Sequence, residues 1–328
     1  MSKQIGVLPA VVTVLASIGF VASWSSGFLI AAIATVDVAF TTLLVWRFVP
    51  VAVVLVVVAL ATGAFRGVNR SALRGQAVIG VFAQFGYCVL VYASIAAGIT
   101  TGTTALIDAV QPLIVATLVG PILGLRVRAA QWFGLALGAV GVLLVVRSQI
   151  GGADASPFAY VLPVLAMACL VVGTFLDRRS DTDLPVFLTL TVHVAVTAAA
   201  LVVLAAVTGT LAPPASTIFW LQAALAAVLP TLVAYGLYWW LLRRVGITVL
   251  NALLFLVAPA TAAAGALLFG EPLTAWTLGG FVLCGGGVAL VLASERNASP
   301  SEPLAGDAGT PGAHEPGGVR HQETVRVR

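Results

Sequence analysis

The sequence predicts an all-α integral membrane protein of ten transmembrane helices, arranged as two inverted repeats of five. Three observations carry that prediction. First, 60% of the 328 residues are hydrophobic and only 9% are charged, where a soluble domain carries about a quarter of its residues as charges. Second, the apolar residues gather in blocks of about twenty, the length of helix that crosses a bilayer, and the blocks are apolar all round instead of striped. Third, a long stretch of the first half recurs in the second. In hydrocarbon each segment must satisfy its own backbone amides, so the spans are expected to be helices.

Segments rich in Arg, Asp, Gly and Pro bound the spans at 8–31, 39–62, 76–97, 101–123, 129–147, 157–176, 184–208, 217–242, 247–269 and 274–293. The first follows a lone Lys3. Its apolar run exceeds the ~7–15 residues of a signal-peptide core, so it is expected to be retained. The second carries Arg47. The third offers Gln84, Tyr87 and Tyr92; Tyr92 lies near a span end, where Tyr and Trp form interfacial belts. The fourth holds Asp108, Gln111 and Pro112. Pro112 lacks the N–H that would bond the Asp108 carbonyl, so a kink is expected there. Gly134, Gly138 and Gly141 of span 5, with Gly280, Gly285, Gly286 and Gly287 of span 10, let backbones approach closely, between repeats or between protomers, which leaves a homodimer open. Span 7 contains His193, span 8 contains Tyr235, Tyr238, Trp239 and Trp240, and span 9 contains Asn251. Cys88, Cys169 and Cys284 fall within spans without ligand spacing and read as small apolar fillers, neither a metal site nor a disulfide framework.

Loop charges orient the bundle, because cytoplasmic loops collect Lys and Arg. The N-terminus and even-numbered loops hold Lys3, Arg66, Arg70, Arg74, Arg126, Arg128, Arg178, Arg179, Arg243 and Arg244, whereas the odd-numbered loops hold only Arg147. Both termini are therefore expected in the cytoplasm. The net charge of +4 is accounted for by this bias and needs no nucleic-acid partner. Residues 295–328 turn abruptly to Pro, Gly, Ser and mixed charge, and are expected to form a disordered cytoplasmic tail.

The repeat divides the chain into units 1–148 and 149–294. Gly98, Pro112, Gly124, Gly134 and Gly141 answer to Gly246, Pro259, Gly270, Gly280 and Gly287, and Tyr87 answers to Tyr235. Because each unit has five spans, the second enters the membrane upside down relative to the first, a plan found in many secondary transporters.

These residues resemble the drug/metabolite transporter superfamily and, within it, the EamA-type exporters. The resemblance covers about residues 8–293 and rests on Trp24–Gly27 (Trp-Ser-Ser-Gly), on Arg47 and Phe48, and on Pro259 followed by Gly270, Glu271, Pro272, Gly280 and Gly287. In the first half Leu125 replaces the acidic residue of that last motif. Glu271 is accordingly read as a structural carboxylate at the positive end of span 10, in preference to a coupling-ion site. The resemblance implies ten helices around a central cavity and export of metabolites or drugs.

The residues point the same way without it. A P-loop needs a lysine, and Lys3 is the only lysine, so a gradient must drive any uphill movement and no cofactor is called for. His193 is the sole membrane histidine, without a second carboxylate or ligand cluster, which sets an intramembrane enzyme or a lipid scramblase behind a transporter as alternatives. A transporter of a small molecule, such as an amino acid or derivative, in the cytoplasmic membrane is the expected function. Polar and aromatic side chains within spans cost free energy unless they face a cavity or a partner. Asp108, Arg47, Gln84, Tyr87, Gln111, Tyr235 and Asn251 are the candidate substrate-binding residues. Arg47 and Asp108 are expected at one depth, either as a buried ion pair or with Asp108 as a cavity carboxylate. Gln111 and Asn251 are expected either to face the solute or to bridge two helices.

Overall fold

The computed structural model describes residues 7–99, 104, 107–124, 127–147, 156–180, 184–269 and 274–296. Glu271, Leu125 and the segment from 297 onward lie outside them. Every regular element among the described residues is helical: α1 (Val7–Ala34), α2 (Phe40–Ala61), α3 (Arg70–Ala96), α4 (Gln111–Leu123), α5 (Ala129–Arg147), α6 (Val161–Arg179), α7 (Val186–Thr208), α8 (Thr217–Leu254), α9 (Val257–Phe269) and α10 (Ala275–Arg296). Among the described residues, six stretches are long and apolar enough to cross a membrane: Ala10–Ala34, Phe40–Ala61, Arg70–Ala96, Phe158–Arg179, Val186–Thr208 and Thr217–Leu254. Gln111–Leu123, Ala129–Gly141 and Leu278–Ser294 are shorter apolar helices.

Local chemistry shifts several boundaries from those expected. Helix α3 starts at Arg70 instead of near 76, because the Asn69 side chain accepts from the Ser71 N–H and caps a turn that the arginines had suggested was loop. Helix α10 continues through Arg296, into the stretch read as tail. Gly246 adopts φ 84°, open to glycine without a Cβ clash, and divides α8 into segments 217–245 and 247–254. Its repeat partner Gly98 has φ 88°. Helix α4 begins at Gln111 after a separate turn at Ile107–Asp108, consistent with the break expected at Pro112. Helix α9 likewise begins after a break at Phe255–Leu256.

The packing follows the repeat. Helix α2 packs on α7 and α5 on α10, while α1 packs on α8 and α9 as α6 packs on α3 and α4. The like pairs are antiparallel. Thr41 and Thr42 at the start of α2 bond to Thr210 beyond the end of α7, at 2.6 and 2.7 Å. In the other pair a Cβ on Gly134 would meet Gly287 and Val291, and one on Gly141 would meet Gly280 and Cys284. The glycine stripes of α5 and α10 are therefore used within the chain, against each other. At the end of the bundle opposite Thr41 and Thr210, Arg243 bonds to the Leu184 carbonyl and to Thr189, and Arg179 bonds to the Ile122 carbonyl at the end of α4.

Candidate functional site

Two helix segments shape the centre of the bundle. Within α3 the turn widens at Val81–Gly86, and within α8 it widens at Val228–Val233, the corresponding place in the second unit. Such a π-type turn carries a residue in excess of the α-helical repeat and frees backbone carbonyls. Pro230 lies in the second of these turns, where its missing N–H is accommodated. One carbonyl within each wide turn accepts a bond from a side chain of the other half. Arg47 donates from Nη2 to the Pro230 carbonyl at 3.2 Å, and the Tyr235 hydroxyl donates to the Ala83 carbonyl at 3.2 Å. Each wide turn is also approached by a glycine: a Cβ on Gly27 would stand 3.2 Å from the Pro230 side chain, and one on Gly173 only 2.5 Å from Ala83 Cβ.

Between these turns lies a small cavity of about 30 Å³ lined by Trp24, Gly27 and Phe28 of α1, Arg47 of α2, Tyr87, Cys88, Val91 and Tyr92 of α3, and Pro230 and Tyr235 of α8. The Trp24 ring is its centrepiece, 5.7 Å from the ring of Tyr87, 5.2 Å from that of Tyr235 and 5.4 Å from that of Tyr238. The neighbouring residues of its motif have separate tasks. Ser25 donates to the Val257 carbonyl at the start of α9, 3.2 Å away, and Gly27 admits Pro230.

Arg47 is fully buried. Its Nε donates to Thr231 Oγ1 at 2.6 Å and its Nη1 to the Tyr92 hydroxyl at 2.9 Å, besides the bond to Pro230. The guanidinium lies 4.8 Å from the Phe48 ring centre and 5.5 Å from that of Tyr92, within cation–π range. Three bonds use three of its five N–H donors. Among the described residues no carboxylate lies within ion-pair distance of it, so the expected pairing with Asp108 is not formed. Asp108 instead accepts from the Tyr87 hydroxyl at 3.0 Å through Oδ2, and its buried Oδ1 has no hydrogen-bond partner among the described residues. The carboxylate stands behind Tyr87, outside the cavity lining.

The other candidates divide. Tyr87 and Tyr235 line the cavity; in the register of the wide turns Tyr87 answers to Ala234, immediately before Tyr235. Gln111 donates to Asn251 Oδ1 at 3.2 Å and Asn251 donates to the Ile247 carbonyl at 2.8 Å, so this pair joins the two halves at the broken segments. Gln84 faces α7, where Thr197 donates to its Oε1 at 3.5 Å. Tyr92, read from sequence as a membrane-interface anchor, is 2% exposed and bonded to Arg47, because its hydroxyl has a buried cationic donor available within the bundle. Trp24 and Phe28 were not among the candidates. The signal for Trp24 was an indole deep in a span instead of at its end.

A family model for EamA-like transporters matches residues 11–147 and again 157–293. The chain belongs to the EamA-like transporter family. One copy of the EamA-like unit thus precedes α6 and the other begins with it, and the cavity lies between the copies. A solved structure described as "Crystal structure of protein" has the same fold, with a TM-score of 0.70 and 19% identity over 87% of this chain and 99% of the other. No curated protein matches the sequence.

For this EamA-like transporter the aromatic wall gives a direct expectation. Tyr87→Ala and Tyr235→Ala each remove a ring that touches Trp24, and should raise the apparent KM for solute about 5–10-fold, in the range of one aromatic contact. Both rings are buried, so membrane abundance is measured beside flux and the KM is read on the protein that reaches the membrane. Unchanged apparent affinity in both variants would reduce the two rings to packing.

Proposed function

We propose that the chain is a secondary transporter of the cytoplasmic membrane that exports a small amphipathic solute bearing an anionic group, an amino acid derivative being the simplest example, by alternating access. The observation that carries this reading is Arg47, a buried cation with unused donors and no carboxylate partner among the described residues, at the wall of an aromatic cavity between two repeats. An unpaired buried charge is costly, and a solute carboxylate would compensate it while the rings of Trp24, Tyr87 and Tyr235 hold its apolar body. The antiparallel pairing of α2 with α7 and α5 with α10 supports inverted units that together cross the membrane ten times. Export, in preference to import, follows the resemblance.

Three radiolabelled probes that share an aromatic body test the head-group claim in proteoliposomes: N-acetylphenylalanine is an anion, phenylalanine a zwitterion and phenethylamine a cation. The first two are expected to move unchanged across the bilayer and the amine is not. Movement of the amine alone would overturn the assignment of Arg47, and chemical alteration of a probe would favour an intramembrane enzyme.

The orientation is tested separately. A reporter fused after residue 300 should be active only in the cytoplasm, and one inserted in the 209–216 loop only outside. Swapped activities would invert the topology.

A further inference from the structure

The second half places a different base where the first half has Arg47. In the register that aligns Gly27 with Gly173, the counterpart of Arg47 is His193 on α7. Its surroundings are repeated as well. Arg47 lies against Tyr92, and His193 meets Trp239, the counterpart of Tyr92 in the register of the wide turns, edge-on at 4.9 Å. Arg47 is a permanent cation, whereas an imidazole gains and loses a proton near neutral pH.

The hydrogen bonds fix the state of that imidazole. Gln76 Nε2 donates to Asp177 Oδ1 at 3.1 Å, and Gln76 Oε1 lies 2.8 Å from His193 Nε2. A carboxylate accepts only, so the amide turns its nitrogen to Asp177 and its oxygen to His193. The imidazole therefore donates through Nε2–H, and the lone pair is on Nδ1. That nitrogen is buried and has no partner among the described residues. Backbone contact holds the ring in place, since a Cβ on Gly80 would stand 2.9 Å from His193 Cα. Among the described residues, two charges act on the site: Asp177 of α6, one amide away, and Arg243 of α8. Gln76 of α3 and Trp239 of α8 are neutral. Trp239 in turn meets Tyr238 at 5.0 Å, and Tyr238 stacks on Trp24 in the cavity wall. Three aromatic rings link His193 to the solute cavity.

We propose that His193 Nδ1 is the proton-binding site through which a proton gradient drives solute export. The proposal rests on the transport reading above. One proton from hydronium on the acidic side, admitted from the end bearing Thr41 and Thr210, forms an N–H bond at Nδ1 and makes an imidazolium, with no other bond changed. The new cation has no acceptor among the described residues of the closed bundle and is repelled by Arg243, so it favours opening to water. The bundle end bearing Asp177 and Arg243 is the one that opens. There the proton returns to water while solute loads, and the neutral site closes again.

The test combines flux and fluorescence. With a proton gradient imposed across proteoliposomes, the wild-type protein should concentrate N-acetylphenylalanine or phenylalanine on the acidic side. His193→Gln, which cannot titrate, should lose that accumulation. In nanodiscs without solute, acidification should quench wild-type tryptophan emission, because an imidazolium beside Trp239 is a quencher, and the quench should be absent in H193Q. Uphill accumulation by H193Q, or an identical fluorescence response in both proteins, overturns the proposal. If H193Q fails to reach the membrane, Gln76→Leu keeps the imidazole but cuts its tie to Asp177; the quench should then move to lower pH, and an unmoved midpoint overturns the proposal. Failure of the transport reading looks different: no probe moves even in the wild type, while the fluorescence arm still reports on His193.

Discussion

Gly287→Leu should lower membrane abundance several-fold and leave the remaining protein heat-sensitive in detergent. A Cβ at this position would lie 2.5 Å from the Gly134 carbonyl oxygen and 2.7 Å from the Gly138 nitrogen. Both are backbone atoms, so no rotamer change relieves the clash, and α5 and α10 must separate along a seam of small residues. Overpacking by side chains costs ~1–3 kcal/mol, and a rigid backbone contact belongs at or above the top of that range. Losses of about 1–2 kcal/mol already change cellular abundance several-fold. The neighbouring position supplies the control: a Cβ on Gly285 meets nothing within 4 Å, so Gly285→Leu on the same helix should accumulate like the wild type. Immunoblotting of membranes and a thermal-aggregation curve decide the matter. Equal abundance for the two variants would mean that the seam is not tight.

Replacing Arg47 with Gln should reduce flux of the anionic probe about 100-fold, taking ~1.4 kcal/mol per tenfold and ~3 kcal/mol for the loss of a buried charge-assisted contact. The side chain joins the halves through Thr231 and Pro230, so abundance must be measured beside flux. Arg47→Lys separates charge from geometry. An ammonium keeps the cation but cannot present the planar fork that reaches Thr231, Tyr92 and Pro230 together. It should restore part of the flux with a raised KM. Normal anion flux in the Gln variant would remove Arg47 from the binding site.

The all-helical fold, six of the apolar spans and the internal repeat were legible in the sequence because hydropathy and glycine spacing are local properties, read without knowing what packs on what. Tyr87 and Tyr235 were found as cavity residues for a similar reason: an aromatic polar group deep in a span needs a neighbour. The pairing of Arg47 with Asp108 failed because equal depth does not fix the direction in which a side chain leaves its helix. Arg47 points to α8 and Tyr92, while Asp108 points to Tyr87. Tyr92 was misread because a position near a span end looks the same in sequence whether it faces lipid or a buried guanidinium. The wide turn at Val81–Gly86 carries no proline or other compositional mark, so only its partner around Pro230 hinted at irregular backbone.

The two wide turns also record history. A helix that gains one residue is shifted by about 100° beyond the insertion, which turns every later side chain to a new face. Two such gains, made independently in separate halves, would have no reason to fall in the same register. Yet Val81–Gly86 and Val228–Val233 occupy matching places in the two units, and the glycines that approach them, Gly173 and Gly27, match as well. A common origin of the two units, with the irregular turn already in place, accounts for this match. Present-day relatives with a single five-helix unit should retain the insertion at the same place, and a regular α-helix there would refute this descent.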